Sequence, residues 1–311
     1  MDYRDLILSN LRDLYKMNEH TSKFRAIAYK KALNALPTGP IRGEQDLAAM
    51  AKGSIYTKIK TIIDTNTDLP DVIEYRNDDS YDAIDKLQGV HGIGPTKAKE
   101  LYFTHNIKSV SDLIAKQNEL KLNKIQTTGL RYYNDITQRI PYNEMCMHDR
   151  FIEEHISDMC QFKVVGSYRR KAPNSGDIDI LITGPNNNLH QVIDRLMQSG
   201  YVAKDGVLAK GKVKFMGICK LNNCSVHRRI DILYTPENEH PFAVLYFTGN
   251  DKFNINMRSF VSKQKLTLNE QGLYTTDKQH VPHSFVTEHD IFEYLKIPYV
   301  EPEHRNDSVV F

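Results

Sequence analysis

The stretch Gly166-Ser167-Tyr168-Arg169-Arg170-Lys171-Ala172-Pro173-Asn174-Ser175-Gly176-Asp177-Ile178-Asp179-Ile180-Leu181 places two carboxylates at i and i+2 inside an apolar run that continues through Ile182. Alternate strand residues share a face, so Asp177 and Asp179 project together, about 6.6 Å apart along the chain. Like charges so placed repel unless a cation lies between them. The residues just before them are cations, hydroxyls and glycines, the material of an anion cradle: backbone N–H groups at Gly166 and Ser167 and the planar fork of Arg170. A third acid stands in His227-Arg228-Arg229-Ile230-Asp231-Ile232-Leu233, another apolar strand. Arg229 lies two residues before Asp231, on the same strand face, where it can orient and neutralise that acid. Three carboxylates on adjacent strands suit two hard divalent cations about 3.5–4 Å apart. A nucleoside triphosphate bridging the loop and the acids through Mg2+ gives in-line phosphoryl transfer, which is mainly positioning and charge neutralisation. A bare pair of alternating aspartates also occurs as solvated or salt-bridged acids on a strand edge; the preceding glycine-serine turn, the Ser175-Gly176 lead-in and the separate Asp231 strand argue against that.

A second chemistry is carried by Gly89-Val90-His91-Gly92-Ile93-Gly94-Pro95-Thr96-Lys97-Ala98, a glycine-rich turn opening a helix, with Lys97 and Lys99 adding charge. Small residues let backbone approach a ligand closely, and the first N–H groups of a helix point at an anion. The pattern matches the helix-hairpin-helix module that grips DNA phosphates without reading sequence; an ordinary helix-helix corner is the alternative. Lys52-Gly53-Ser54-Ile55-Tyr56-Thr57-Lys58-Ile59 has the flank of a second such turn, but Ser54 and Tyr56 replace its glycines. Cys219, Cys224 and His227 lack a matching second ligand pair for a metal cluster. His280 and His283 sit in a polar loop with no assignment. Most tyrosines read as packing residues, with Tyr29, in Ala28-Tyr29-Lys30-Lys31, the one placed to lie against DNA.

These residues need elements to hold them. A chain of 311 residues points to two or more domains, and 40% hydrophobic with 26% charged residues allows a core and a soluble surface. No apolar run has the length of a membrane span. The start, Met1-Asp2-Tyr3-Arg4-Asp5, lacks an apolar leader region, so no secretory or transit peptide is expected. Four cysteines are too few for a disulfide framework, which favours a reducing compartment. A net charge of +2 is no signature of nucleic-acid binding, but the cations cluster, at Lys163 with Arg169 to Lys171, at Lys204 to Lys214 and at Arg228-Arg229. Such patches, unless merely solvated, suit a phosphate backbone. Periodicity predicts helices through the first 140 residues: Leu6, Ile7, Leu11 and Leu14 on one face, then Phe24, Ile27, Ala28 and Lys31 with Ala32, then 46–50 and 57–63. A polar join around Tyr75 to Tyr81 reads as a linker, followed by a helical block to Pro141. After residue 160 strands are predicted at 162–165, 178–182, 213–219 and 229–234, with helices at 189–198 and 288–295.

Taken together the motifs resemble the family X DNA polymerases, of the beta type. Beyond the residues above, Leu245-Tyr246-Phe247-Thr248-Gly249-Asn250-Asp251-Lys252-Phe253-Asn254 with Asn256-Met257-Arg258, Lys212-Val213-Lys214-Phe215-Met216-Gly217, and Tyr299-Val300-Glu301-Pro302 carry the resemblance. It implies a multidomain α plus α+β chain: a lyase-type helical domain (1–76), a helix-hairpin-helix DNA-binding domain (77–141), a nucleotidyltransferase-type palm (142–238) and a small α+β nucleotide-selecting domain (239–311). It further implies that Asp177, Asp179 and Asp231 bind two Mg2+, for which Mn2+ can substitute, with Asp231 activating the primer 3′-hydroxyl. Arg139, Gly166, Ser167, Arg170, Ser175 and Gly176 would contact the triphosphate. Tyr246, Phe247 and Gly249 would pack at the sugar, and Asp251 and Asn254 would meet the base. Arg258 would reach the template-side minor groove, positioned by Glu270. Gln88, Val90 and Ile93 would hold Na+ or K+ through their backbones against a DNA phosphate. Tyr29, Lys58, Gly92, Gly94, Lys97, Lys214 and Arg229 complete the DNA-facing set.

Three departures stand out. Ile62 occupies the position of the family's Schiff-base lysine, so 5′-deoxyribose phosphate lyase activity is expected to be weak or absent; Lys58, one turn earlier, is either a phosphate contact or a substitute nucleophile. Ile255 replaces a basic residue and Gln271 an aromatic one, which predicts looser base selection. The expectation is a monomeric, Mg2+-dependent DNA-directed DNA polymerase acting on dNTPs at gapped or nicked DNA in base-excision-type repair, with no membrane partner and a DNA ligase or other repair partner left open. An intracellular site is expected, the nucleus first, with cytoplasm, mitochondrion and virion open. The alternatives are a template-independent terminal nucleotidyltransferase and a non-catalytic DNA-end-binding scaffold.

Overall fold

The computed structural model describes residues 1–19, 22–37, 39–47 and 53–311. The chain divides into two compact units, Met1–Leu120 and Lys121–Phe311. The division falls inside the 77–141 stretch that the resemblance marks as one domain.

Unit 1 is helical: α1 (Arg4–Glu19), α2 (Lys23–Ala35), α3 (Ser54–Thr65), α4 (Pro70–Asn77), α5 (Asp79–Gln88), α6 (Pro95–His105) and α7 (Val110–Lys116). On α1 the predicted stripe is the core face, with Ile7, Leu11 and Leu14 buried. The predicted face of α2 holds only at Ala32. Phe24 is 88% and Ile27 44% exposed, whereas Ala26 is buried and Tyr29 joins Ala32 in the core shared with α1. Periodicity counted the largest apolar side chains, but the close α1–α2 approach selects small ones and one flat ring. The predicted 46–50 helix is a 3-10 turn at Glu44–Leu47; residues 48–50 and Lys52 lie outside the described residues. The linker around Tyr75 to Tyr81 is also corrected. α4 and α5 meet at the single residue Asp78, whose carboxylate accepts from Ser80 N at 2.9 Å and caps α5, and the Tyr75 and Tyr81 rings pack 4.5 Å apart across the joint.

Unit 2 runs α8 (Lys124–Arg131), α9 (Tyr133–Ile136), β1 (Ile140–Pro141), α10 (Tyr142–Ile156), β2 (Gln161–Val164), α11 (Gly166–Arg169), β3 (Asn174–Ser175), β4 (Ile178–Thr183), α12 (Leu189–Gln198), β5 (Val202–Lys210), β6 (Lys214–Cys219), β7 (Arg228–Tyr234), α13 (His240–Thr248), α14 (Asp251–Lys263), β8 (Leu266–Leu268), β9 (Leu273–Thr275) and α15 (Glu288–Tyr294). Its main sheet has the order β2-β4-β7-β6-β5, with β4 and β7 parallel and the other pairs antiparallel. The predicted strands hold to within a residue or so at each end. β5 was not predicted: two register shifts against β6 break its alternation, and its exposed lysines and aspartate hide it among loops.

Alternation along β4 and β7 sorts the two faces of the sheet. Ile178, Ile180 and Ile182, with Ile230 and Ile232, point into a core closed by Ile152 and Ile156 of α10 and by Val192, Ile193 and Leu196 of α12. The opposite face is only partly covered, where Leu181 and Val165 meet Ala243 and Val244 of α13. The polar residues of the two strands emerge beside that partial cover. No helix is long and apolar enough to cross a membrane among the described residues.

Candidate active site

The parallel register pairs Asp179 with Asp231 directly. Asp177 stands one residue before β4, and carboxylate oxygens of Asp177, Asp179 and Asp231 all lie within 4.8 Å of one another. Burial, and then the charge of Asp231, push the Asp179 carboxyl up to about 6, with Lys214 and Arg170 acting the other way. Lys214 Nζ approaches Asp231 Oδ2 at 3.4 Å. Arg229 bridges two acids: its Nη2 donates to Asp177 Oδ2, and its Nε forms the expected ion pair with Asp231 Oδ1 at 3.7 Å. The register explains the additional partner, because Ile178 opposite Ile230 sets Arg229 level with Asp177. Asp231 Oδ1 is buried with no hydrogen-bond partner. A buried orphan oxygen, two further hard oxygen donors and the raised pKa of Asp179 beside Asp231 fit a divalent cation. Among the described residues no other cluster of histidine, cysteine and acid side chains has this closeness.

The loop before β4 is built around that acid pair. Gly166 opens α11 with φ +61°, and a Cβ there would stand 2.4 Å from Asp179 Oδ2. Backbone conformation and close approach both demand glycine. Ser167 Oγ donates to Ser175 Oγ at 2.8 Å, and Ser175 is almost fully buried. Arg139 is held by Asn174, Nε to Oδ1 at 2.8 Å and Nη2 to the carbonyl at 3.1 Å, and lies so close to Gly176 that a Cβ there would be 2.9 Å from Arg139 Nη1. Arg170 donates from Nη1 to the Thr248 carbonyl at 2.5 Å, and burial lowers its pKa. Arg139, Gly166, Ser167, Arg170, Gly176, Asp177 and Asp179 form one wall of a cavity of about 380 Å3; Tyr246, Phe247, Gly249, Asn250, Asp251 and Asn254 form the other. Asp231 and Lys214 line an adjoining recess with Asp179 and Phe247.

The second wall is the α13–α14 corner. The Tyr246 and Phe247 rings meet edge to face at 5.1 Å. Asn250 caps α14 by accepting from Phe253 N at 3.0 Å, and Asn254 Nδ2 donates to the Tyr246 carbonyl at 2.7 Å. Asn250 was missed as a cavity residue, although an asparagine before an acidic first turn is a readable cap signal. The Arg258 guanidinium lies 5.4 Å from the Tyr246 ring centroid. Among the described residues no ion pair joins it to Glu270, so the expected support of Arg258 by Glu270 is not seen in this arrangement. Ile255 is 49% exposed on α14, and Gln271 is exposed beyond β8.

In unit 1, α5 and α6 form the predicted hairpin. Gly92 has φ +88°, and Gly94 is an extended N-cap with open space where a Cβ would stand. The side chains of Val90 and Ile93 are buried, and the Val90 carbonyl accepts from Ile93 N at 2.9 Å. The Gln88 side chain donates to the Ile84 carbonyl at 3.3 Å, and Lys97 pairs with Glu100 at 2.7 Å. Tyr29 is only 8% exposed and its ring packs in the helical core. It lines, with Arg25, Asn18, Ser54 and Lys58, a cavity of about 530 Å3. Lys58 there pairs with Asp71 at 3.1 Å. Ile62 is fully buried in the core of unit 1. His227 pairs with Asp135 at 2.7 Å and Cys219 is buried, so neither stands ready as a metal ligand.

A mixed sheet that delivers three acids to one half-covered face, with an anion-shaped loop beside them, is a polymerase-type palm. Three family models match the chain: the fingers domain of DNA polymerase lambda over residues 85–137, the DNA polymerase beta palm over 139–237 and the DNA polymerase beta thumb over 243–306. Two proteins named DNA polymerase lambda are similar along most of the chain: that of Rattus norvegicus, 28% identical over 93% of this chain and 54% of its own length, and that of Arabidopsis thaliana, 26% identical over 91% of this chain and 58% of its own. A DNA nucleotidylexotransferase of Xenopus laevis is 26% identical over 76% of this chain and 54% of its own. The chain belongs to family X of the DNA polymerases. It spans little more than half the length of these relatives.

Proposed function

We propose that the chain is a DNA-directed DNA polymerase that fills short gaps in DNA repair, transferring a nucleotide from a dNTP to a primer 3′-hydroxyl. The observation that carries this reading is the convergence of the Asp177, Asp179 and Asp231 oxygens within 4.8 Å beside the Gly166–Arg170 loop. Asp177, Asp179 and Asp231 are the residues to hold two Mg2+, or Mn2+ in substitution; when bound, these ions would supply charge neutralisation for the triphosphate and acidity for the hydroxyl. The protein's own part is positioning. The N–H groups of Gly166 and Ser167 and the forks of Arg139 and Arg170 face the phosphates, with Ser175 and Gly176 shaping the floor. Tyr246, Phe247 and Gly249 pack against the sugar; Asp251 and Asn254 meet the base; Arg258 reaches toward the template, and Lys214 and Arg229 face the primer strand. Arg229, paired with both Asp177 and Asp231, neutralises the carboxylates that would hold the ions.

On this reading residues 77–141 grip duplex phosphates through Gly92, Gly94 and Lys97, with Na+ or K+ held by the Gln88, Val90 and Ile93 backbones, while 1–76 keeps the lyase-type shape without its nucleophile. DNA and dNTPs are the partners. Templated and untemplated addition both remain chemistries of this palm, and the similarity to a DNA nucleotidylexotransferase supports end addition as the second reading.

Single-nucleotide incorporation tests both. One-nucleotide-gapped duplex with and without a 5′-phosphate, open template-primer and single strand are each offered to wild type and Asp231→Ala with Mg2+. Templated gap filling, abolished in the variant, is the expected result. Extension of the single strand moves the assignment to the transferase, and DNA binding without incorporation by wild type moves it to a scaffold.

A further inference from the structure

Arg169 and Arg170 are neighbours, yet their guanidinium groups diverge. Arg170 lines the nucleotide cavity; Arg169 turns into the protein and grips Glu288 in a two-pronged pair, Nη2 to Oε1 at 2.5 Å and Nη1 to Oε2 at 3.0 Å. Glu288, at the start of α15, is 5% exposed and also accepts from Arg305 Nη1 at 3.1 Å and from the Tyr299 hydroxyl at 2.6 Å. A buried carboxylate shared by two arginines is a costly device for stability alone, since apolar packing would serve as well.

What the device fixes is Thr248. Arg169 Nη1 donates to Thr248 Oγ1 at 2.7 Å, and that hydroxyl donates onward to the Val244 carbonyl at 2.6 Å. Arg170 Nη1 donates to the carbonyl of the same residue at 2.5 Å. Thr248 ends α13, and the next three residues, Gly249, Asn250 and Asp251, line the nucleotide cavity. One residue is thus held from its side chain by one arginine and from its backbone by the next.

We infer that Arg169, oriented by Glu288, is a positioning residue for nucleotide binding: by holding the Thr248 hydroxyl it sets the 249–251 segment against Arg170, and so sets nucleotide affinity. This rests on the polymerase reading, which supplies the nucleotide. A charge-assisted hydrogen bond placed to fix a cavity wall has the strength to change affinity severalfold without deciding the fold.

The test is calorimetric titration of a magnesium dNTP into wild type, Thr248→Val, Thr248→Ser and Arg305→Met, with Tm recorded for each. Thr248→Val keeps the shape of the residue and the Arg169–Glu288 pair but deletes the hydroxyl; it should weaken dNTP binding about tenfold, with Thr248→Ser within twofold of wild type. Arg305→Met cuts the cluster on the side away from Thr248 and should lower Tm while leaving Kd within twofold. Equal Kd for wild type and Thr248→Val overturns the inference, as does an Arg305→Met variant as impaired as Thr248→Val. Wild type that binds dNTP but extends no primer removes the polymerase reading and leaves these comparisons valid. Wild type that binds no dNTP removes both.

Discussion

At the scale of the residue, the tightest constraint in unit 2 is Gly166. Its positive φ and the 2.4 Å that would separate a Cβ from Asp179 Oδ2 act on the same atom pair from two directions. A Gly166→Ala variant must move the loop, the acid or both. Because neither movement disturbs the Ile178, Ile180 and Ile182 core, the expected outcome is loss of roughly 100-fold or more in incorporation rate, about 3 kcal/mol in the barrier, with Tm changed by only a few degrees. A Tm loss as large as the activity loss would show the glycine to be structural instead. The aspartates themselves were legible in the sequence because their chemistry and their spacing coincide: an acid at every second position of an apolar strand has few structural uses. The second partner of Arg229 was not legible. Sequence spacing places it on Asp231's own strand face, whereas the β4–β7 register, a tertiary fact, brings Asp177 level with it.

At the scale of the element, α3 carries the position at which the resemblance implies a departure. Ile62 is fully buried and Lys58 lines a cavity of mixed polar and apolar character with Arg25, Asn18, Tyr29 and Ile55. An isoleucine has no amine with which to trap a sugar aldehyde, and the Lys58 amine is already engaged by Asp71 at 3.1 Å. Incised abasic DNA treated with borohydride should therefore give no covalent adduct with wild type; an adduct lost in Lys58→Ala would reverse this. The same cavity chemistry predicts that Lys58→Ala reduces preference for a 5′-phosphate at the gap severalfold, read from incorporation on phosphorylated and unphosphorylated substrates. On α5–α6, Gly92→Ala places a side chain at φ +88°, and should weaken binding to duplex DNA of any sequence, since backbone at a turn contacts phosphate rather than base. Elements with strong periodicity or a turn signature, α1, β4, β7 and this hairpin, were readable. α2 and β5 were not, because in one the close helix contact selected small residues over large, and in the other register shifts erased alternation.

At the scale of the whole molecule the two units differ in how they should answer to acid. Among the described residues, the carboxyls and imidazoles pushed far from their ordinary values all lie in unit 2: Asp179, Glu288, His148 and His240. Burial tends to raise the Glu288 carboxyl, but Arg169 and Arg305 outweigh it and hold it at about 2. Its contribution to stability is therefore complete above the unfolded value near 4.5 and disappears as pH falls from there toward 2. His148 and His240 are lowered to about 4, chiefly by burial. Unfolded imidazoles take protons first, so both withdraw stability as pH falls from 6.5 toward 4. Asp179 runs against them, because a carboxyl raised to about 6 gains stability over part of the same window. Two losses against one gain leave unit 2 weakening from pH 6.5 downward, and Glu288 steepens the fall below 4.5. Unit 1, whose core is closed by apolar helix faces, has no comparable group among its described residues. Urea unfolding at pH 7.5, 5 and 3, followed by hydrogen exchange in each unit, should show protection in β4, β6 and β7 lost at pH values where α1 and α3 remain protected. His148→Gln should lower stability at pH 7.5, since the Tyr201 hydroxyl loses its partner at 2.8 Å, yet flatten the decline between pH 6.5 and 4. Simultaneous loss of protection in both units, with a decline unchanged in His148→Gln, would mean that the buried ionisable groups of unit 2 do not set the acid limit.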